Sequence, residues 1–229
     1  MNAMKKKILS MKTHHLLGIF LLLDLLALSL YGLYSLDVLE SRFFRLARDR
    51  GFAEIIQYLK FGIIIQVLLV WNQARSSRLI SAWILLFVIM LIDDSVGIHE
   101  EISRILMTHS TFTMVNGFRA KDLVEACVFC ALEGSACLYI AYNFIPASRD
   151  LKLYSMLLGL AMIPLIFCGM VLDILHVPYL EQGGEMASMG LLLGVVHYHF
   201  MKYVRPKITQ RSQAKPHAPG PGQRPGVSY

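Results

Sequence analysis

The sequence predicts an all-α, polytopic membrane bundle of six transmembrane helices with both termini in the cytoplasm. Three observations carry this. Of 229 residues, 55% are apolar and only 17% charged, with a mean hydropathy of +0.53. Soluble domains carry about 25% charged residues and lack repeated apolar runs of about 20. Six stretches are long enough to cross about 30 Å of hydrocarbon as helices: 16–36, 54–72, 79–99, 123–145, 153–176 and 184–204. Basic residues also partition unequally between the two sides of that array. On the side of the termini lie Lys5, Lys6, Lys7, Lys12, Arg75, Arg78, Arg149, Lys152, Lys202, Arg205, Lys207, Arg211, Lys215 and Arg224; the other side has Arg42, Arg45, Arg48, Arg50, Arg104, Arg119 and Lys121. The positive-inside rule places the richer side in the cytoplasm.

The first span follows a lysine cluster but exceeds a signal-peptide core of 7–15 residues and has no A-x-A site after it, so it reads as a retained helix. Between the first two spans, 37–50 places Phe43, Phe44 and Leu46 among arginines, the pattern of an interfacial helix. Residues 205–229 hold five prolines and no acid, which predicts a disordered basic tail. The net charge of +6 sits in loops and tails beside apolar segments, so the partner implied is the lipid bilayer and not nucleic acid. Cys127 and Cys130 form a lone CxxC without a second pair. No haem, flavin, nucleotide or Ser-His-Asp pattern is present.

Acidic residues are segregated further than orientation requires. Of 16, only Asp150 is cytoplasmic, and Asp24 and Glu133 fall near mid-membrane; the rest lie at the outer side. Either an anionic outer vestibule or a merely solvated outer surface accounts for this. An ionisable residue inside a membrane helix is costly and therefore a functional candidate. The third helix ends LIDDSVGIHEE: Asp93 and Glu100 share one line at 100° per residue, and His99 falls on the opposite side. Joining Asp93 to His99 would require a break at Gly97. A helix end emerging into water accounts for Glu100 and Glu101, less well for the deeper Asp93 and Asp94.

Asp122 and Glu125 share a face at the start of the fourth helix, where the helix dipole suits an acid. Glu133 lies deeper and requires neutralisation or a partner. Lys60 of the second helix is the available cation, and Asp24 competes for it. Asp173 and His176 share a face at the end of the fifth helix, and Glu185 enters one short loop later, at the same level. A carboxylate orienting a histidine beside a second carboxylate suits a divalent metal or proton transfer. The candidate metal ligands are therefore Asp94, Glu125, Asp173, His176 and Glu185, with Asp93, His99, Glu100 and Asp122 secondary. His197, His199, His14 and His15 read as interfacial anchors.

GFAEIIQYLK (51–60), LIDDSVGIHE (91–100) and FRAKDLVEACV (118–128) together resemble a group of uncharacterised bacterial inner-membrane proteins that share a DD/DE-xxx-(I/L)HE helix end and an R-x-x-D-x-x-E helix start. The matched residues are Glu54, Tyr58, Lys60, Asp93, Asp94, His99, Glu100, Arg119, Asp122 and Glu125. The resemblance covers about the central third of the chain, implies a bacterial inner membrane and brings no known activity. The alkaline ceramidase and adiponectin-receptor superfamily, which holds zinc with histidines on membrane helices, is a more distant comparison; here the last helix has no HxxxH. The functions expected are an outward cation- or metal-binding site, hydrolytic toward a lipid-like substrate; a proton-coupled transporter using Asp24, Lys60 and Glu133; or a membrane scaffold.

Overall fold

The structure, a computed structural model, describes residues 11–45, 51–108, 114–115, 118–172, 175 and 178–206. The N-terminal lysine cluster at 5–7, Arg48, Arg50, Asp173, His176 and the tail from 207 lie outside these residues. Five helices are long and apolar enough to cross a membrane: α1 (Thr13–Ser35), α2 (Phe52–Ala74), α3 (Arg78–Val96), α5 (Ala120–Phe144) and α6 (Arg149–Ile166, continued to Leu172 as a π-helical turn). At 1.5 Å per residue, a 23-residue helix such as α1 or α2 rises about 35 Å, enough for the hydrocarbon layer with a turn to spare. A short helix, α4 (Ile98–Met107), follows α3, and α7 (Pro178–His199) continues as a π-helical turn through Val204. The described extended structure is one antiparallel ladder pairing Met114 with Arg119 and Val115 with Phe118.

Burial identifies the solvent. Along α1 only Leu16, Phe20 and Ala27 are buried, while Leu21, Leu22, Leu25 and Leu26 are exposed. The same holds on α6, where Leu153, Met156, Leu160 and Ile163 face outward. In water such faces would forfeit about 25 cal/mol for each Å² of apolar surface left uncovered. In hydrocarbon they cost nothing. The protein is an integral membrane protein.

The sixth long helix, α7, is not among the five apolar ones. It carries Glu181, Gln182, Glu185 and two glycines in its first half, yet Met189, Leu192, Leu193 and Val196 are completely buried. Its contacts explain both facts: α7 packs against α1, α2 and α6, so protein surrounds much of it and lipid does not select its composition. Helix α2 packs in turn on α3, and α3 carries α4 and α5.

Local chemistry sets the breaks. Asn72 near the end of α2 accepts the Ser77 backbone N–H (2.9 Å) and donates to the Ser81 hydroxyl (3.0 Å), closing the tight connection to α3. Gly97 adopts φ 72°, ψ 44°, a left-handed conformation that ends α3 and redirects the chain into α4. The third apolar stretch, read from the sequence as one helix over 79–99, is thus broken before His99. Pro164 inside α6 lacks the N–H for its helical bond, and the π-helical turn begins three residues on. The fifth span read as 153–176 begins earlier, at Arg149, and loses regular α geometry after Ile166. In the interfacial segment expected over 37–50, the described part forms only a single 3₁₀ turn, Arg42–Phe44.

Candidate functional site

The break at Gly97 builds the first polar element. With the chain turned there, His99 folds back over the end of α3, and its Nδ1 lies 2.8 Å from Asp93 Oδ2. Asp93 Oδ1 accepts the His99 backbone N–H at 2.9 Å. One carboxylate thereby caps an orphan amide of α4 and orients the imidazole. Asp93 is 1% exposed. The ring of Phe129 on α5 meets the His99 ring edge-on at 6.1 Å. Both contacts depend on the left-handed glycine, since on a straight helix the two side chains face apart.

His99, beyond the end of the span, has its pKa raised above the ordinary 6.5 by the Asp93 hydrogen bond, with burial opposing. A histidine that binds its proton more tightly when folded stabilises the fold below its unfolded pKa, and that contribution is lost as pH rises through the higher folded value. Unfolding midpoints in detergent are therefore expected to fall as pH rises from about 6.5. The Asp93→Asn variant is expected to flatten this slope; an unchanged slope would exclude His99 as its source.

The second element is a set of carboxylates from four helices. Asp94 on α3 interacts electrostatically with Asp93, His99 and Glu54 of α2. Glu185 on α7 interacts electrostatically with Asp94, Glu181 and Glu54, and Gln57 of α2 is a polar neighbour. Glu133 on α5 interacts with Asp94 and Asp93. Tyr58 ties α2 to α3 here, its hydroxyl donating to Glu54 Oε2 at 2.8 Å and lying 3.0 Å from the Asp94 carbonyl. Asp94 is exposed, whereas Glu133 is 5% exposed and its Oε1 has no hydrogen-bond partner among the described residues.

Glu185 is seated by the π-helical turn of α6. A Cβ on Gly169 would sit 2.7 Å from Glu185 Oε1, and one on Gly184 would collide with Cys168 Sγ. Glycine at 184 lets α7 approach Cys168 of α6 this closely, whereas a side chain at 169 would displace the Glu185 carboxylate. Composition alone hides this: neither glycine has a positive φ, and what marks them is the helix opposite.

The third element lies deeper. Lys60 on α2 is fully buried and donates to Asp24 Oδ1 (2.8 Å), Asp24 Oδ2 (2.7 Å) and the Met186 carbonyl (2.9 Å). Three donors meet three acceptors on α1 and α7, so the ammonium is fully satisfied. The partnership of Lys60 with Glu133 considered from the sequence does not form. Asp24 takes the cation, because α1 and α2 are neighbours while Glu133 sits on α5, across α3. The three mid-membrane charges are therefore one closed pair and one separate acid.

Other sequence candidates have local partners. Asp122 accepts from Arg119 Nε at 2.9 Å, Glu125 pairs with Lys121 at 2.9 Å, and Glu101 with Arg104. These pairs occupy the start of α5 and the middle of α4. Glu100 lines a cavity of about 490 Å³ beside Gly97, with Arg104 and Lys121. Of the metal candidates, Asp94 and Glu185 feel each other's charge, Glu125 pairs with Lys121, and Asp173 and His176 lie outside the described residues. Among the described residues no group of three or more histidines, cysteines and acids converges as a metal site. No protein-family model, curated protein or solved structure matches the chain. The function therefore has to be argued from the carboxylates themselves.

Proposed function

We propose that the protein is a small proton-coupled transporter of the bacterial inner membrane, with six spans including α7, both termini cytoplasmic, and the carboxylate cluster toward the outside. The basic residues beside the termini support the orientation, and the resemblance to uncharacterised inner-membrane proteins supports the location. One observation carries the functional reading: the buried Glu133 carboxyl, with an unpartnered oxygen, has acids as its electrostatic neighbours. A cluster of like charges at membrane depth requires neutralisation by a proton or a cation. Asp94 is exposed and Glu133 is enclosed, so the two mark the open and closed ends of a proton path. Asp24 and Lys60 lock the bundle beside it and take no part in the relay.

The second reading, an outward divalent-cation site with hydrolytic activity toward a lipid-like substrate, rests on the electrostatic coupling of Asp94 and Glu185 and needs Asp173 and His176 to complete the ligand set. Infrared difference spectra between acid and alkaline buffer distinguish the two. Wild-type protein is expected to show a carboxyl band that disappears in Glu133→Gln. Proteoliposomes loaded with a pH-sensitive dye are expected to lose an imposed proton gradient faster than empty vesicles, and E133Q vesicles are expected to match the empty ones. An E133Q protein with the wild-type spectrum and flux would end the transporter reading. A wild-type band that responds to added divalent cation instead of pH would favour the second.

A further inference from the structure

At the opposite end of the bundle from the carboxylates lies a cavity of about 340 Å³, within the size range of small-ligand sites. The end of α2, the start of α6 and the end of α7 wall it, with Trp71, Leu157 and His199 in its apolar body and Arg75 and Asp150 also lining it. The body is organised: the His199 ring stacks on Trp71 at 5.2 Å and 16°, and packs on Tyr154 at 4.4 Å. Leu153 and Leu157, both in its wall, are 61% and 44% exposed on a membrane-spanning helix, so the cavity opens sideways onto hydrocarbon. Arg75 and Asp150 form no ion pair with each other or with another described residue, and both are exposed. Asp150 also suits the first turn of α6 through the helix dipole.

We infer that this cavity is a binding site for a bilayer phospholipid with a zwitterionic, amine-bearing headgroup. The acyl chain enters between Leu153 and Leu157 and lies on Trp71 and His199. The phosphate meets Arg75, whose planar fork of donors matches phosphate oxygens, and the ammonium meets Asp150. Opposite charges presented without a bond between them complement a headgroup that carries both signs. An acidic headgroup would satisfy Arg75 and be repelled by Asp150.

The test is native mass spectrometry of the purified, delipidated full chain, titrated with phosphatidylethanolamine or phosphatidylglycerol. Wild-type protein is expected to retain more phosphatidylethanolamine. Arg75→Gln is expected to weaken both lipids by about five-fold, the equivalent of about 1 kcal/mol for one basic group at a lipid headgroup. Asp150→Asn is expected to abolish the preference by raising phosphatidylglycerol binding. Both residues are exposed, so these variants leave the packed bundle intact; Leu157→Trp, which fills the cavity, is expected to reduce both lipids together. Equal retention of the two lipids by wild type, or an Arg75→Gln profile identical to wild type, overturns the assignment.

Discussion

Asp24→Ala is expected to destabilise the protein by about 3–5 kcal/mol, the usual cost of removing one partner of a buried ion pair. Lys60 is 0% exposed, and two of its three hydrogen bonds go to Asp24. Without that carboxylate the ammonium keeps only the Met186 carbonyl. The double variant Asp24→Leu/Lys60→Met removes both desolvation costs, and most of the loss is expected to return. Unfolding in detergent, followed as a double-mutant cycle over the two single changes and the pair, measures the coupling. Additive losses would show that the 2.7 Å contact contributes nothing. The same cycle on Glu133 and Lys60 is expected to be additive, since the structure pairs Lys60 elsewhere.

Gly97→Val is the second large effect. A left-handed backbone costs an L-residue about 1–2 kcal/mol, and a β-branched side chain there is strained further. If the chain straightens to relieve that strain, Asp93 loses the His99 amide, a cap worth about 0.5–2 kcal/mol. Whether the strain is kept or is relieved by giving up the cap, a loss of about 1–2 kcal/mol is expected. Gly97→Asn is the control, because asparagine tolerates this conformation. Equal stability of the valine and asparagine variants would show that the φ of 72° is not required. A histidine NMR titration reports the second half of the argument: in Gly97→Val the His99 pKa is expected to move back toward its ordinary value, because its largest cause, the Asp93 hydrogen bond, is gone.

These two positions separate what was legible in the residues from what was not. The apolar runs, their lengths and their charged flanks report on the solvent each segment meets, and that solvent is the same wherever the segment packs. From it the residues read as six spans, and five of these are membrane-long apolar helices. Gly97 was readable as a condition: at 100° per residue Asp93 and His99 fall on opposite sides unless the helix breaks, and glycine is the residue that allows a break. Whether the break occurs depended on α4 packing back on α5, a contact that no local pattern contains.

The partner of Lys60 was open for a related reason. Asp24 and Glu133 are both acids at membrane depth, and sequence distance does not say which helix neighbours α2. Packing α1 and α7 against α2 decides it, and the Met186 carbonyl, a backbone acceptor with no signature in the sequence, supplies the third bond. The polar first half of α7 carries the same lesson. Read from the residues as a sixth span over 184–204, α7 falls outside the five apolar helices and packs against α1, α2 and α6. By itself the sequence determined that this chain lives in a membrane and that its acids cluster toward one side. Only the tertiary structure decided which acids meet: apolar helices share one solvent and are indifferent to their neighbours, whereas a buried charge is satisfied or stranded by a single contact.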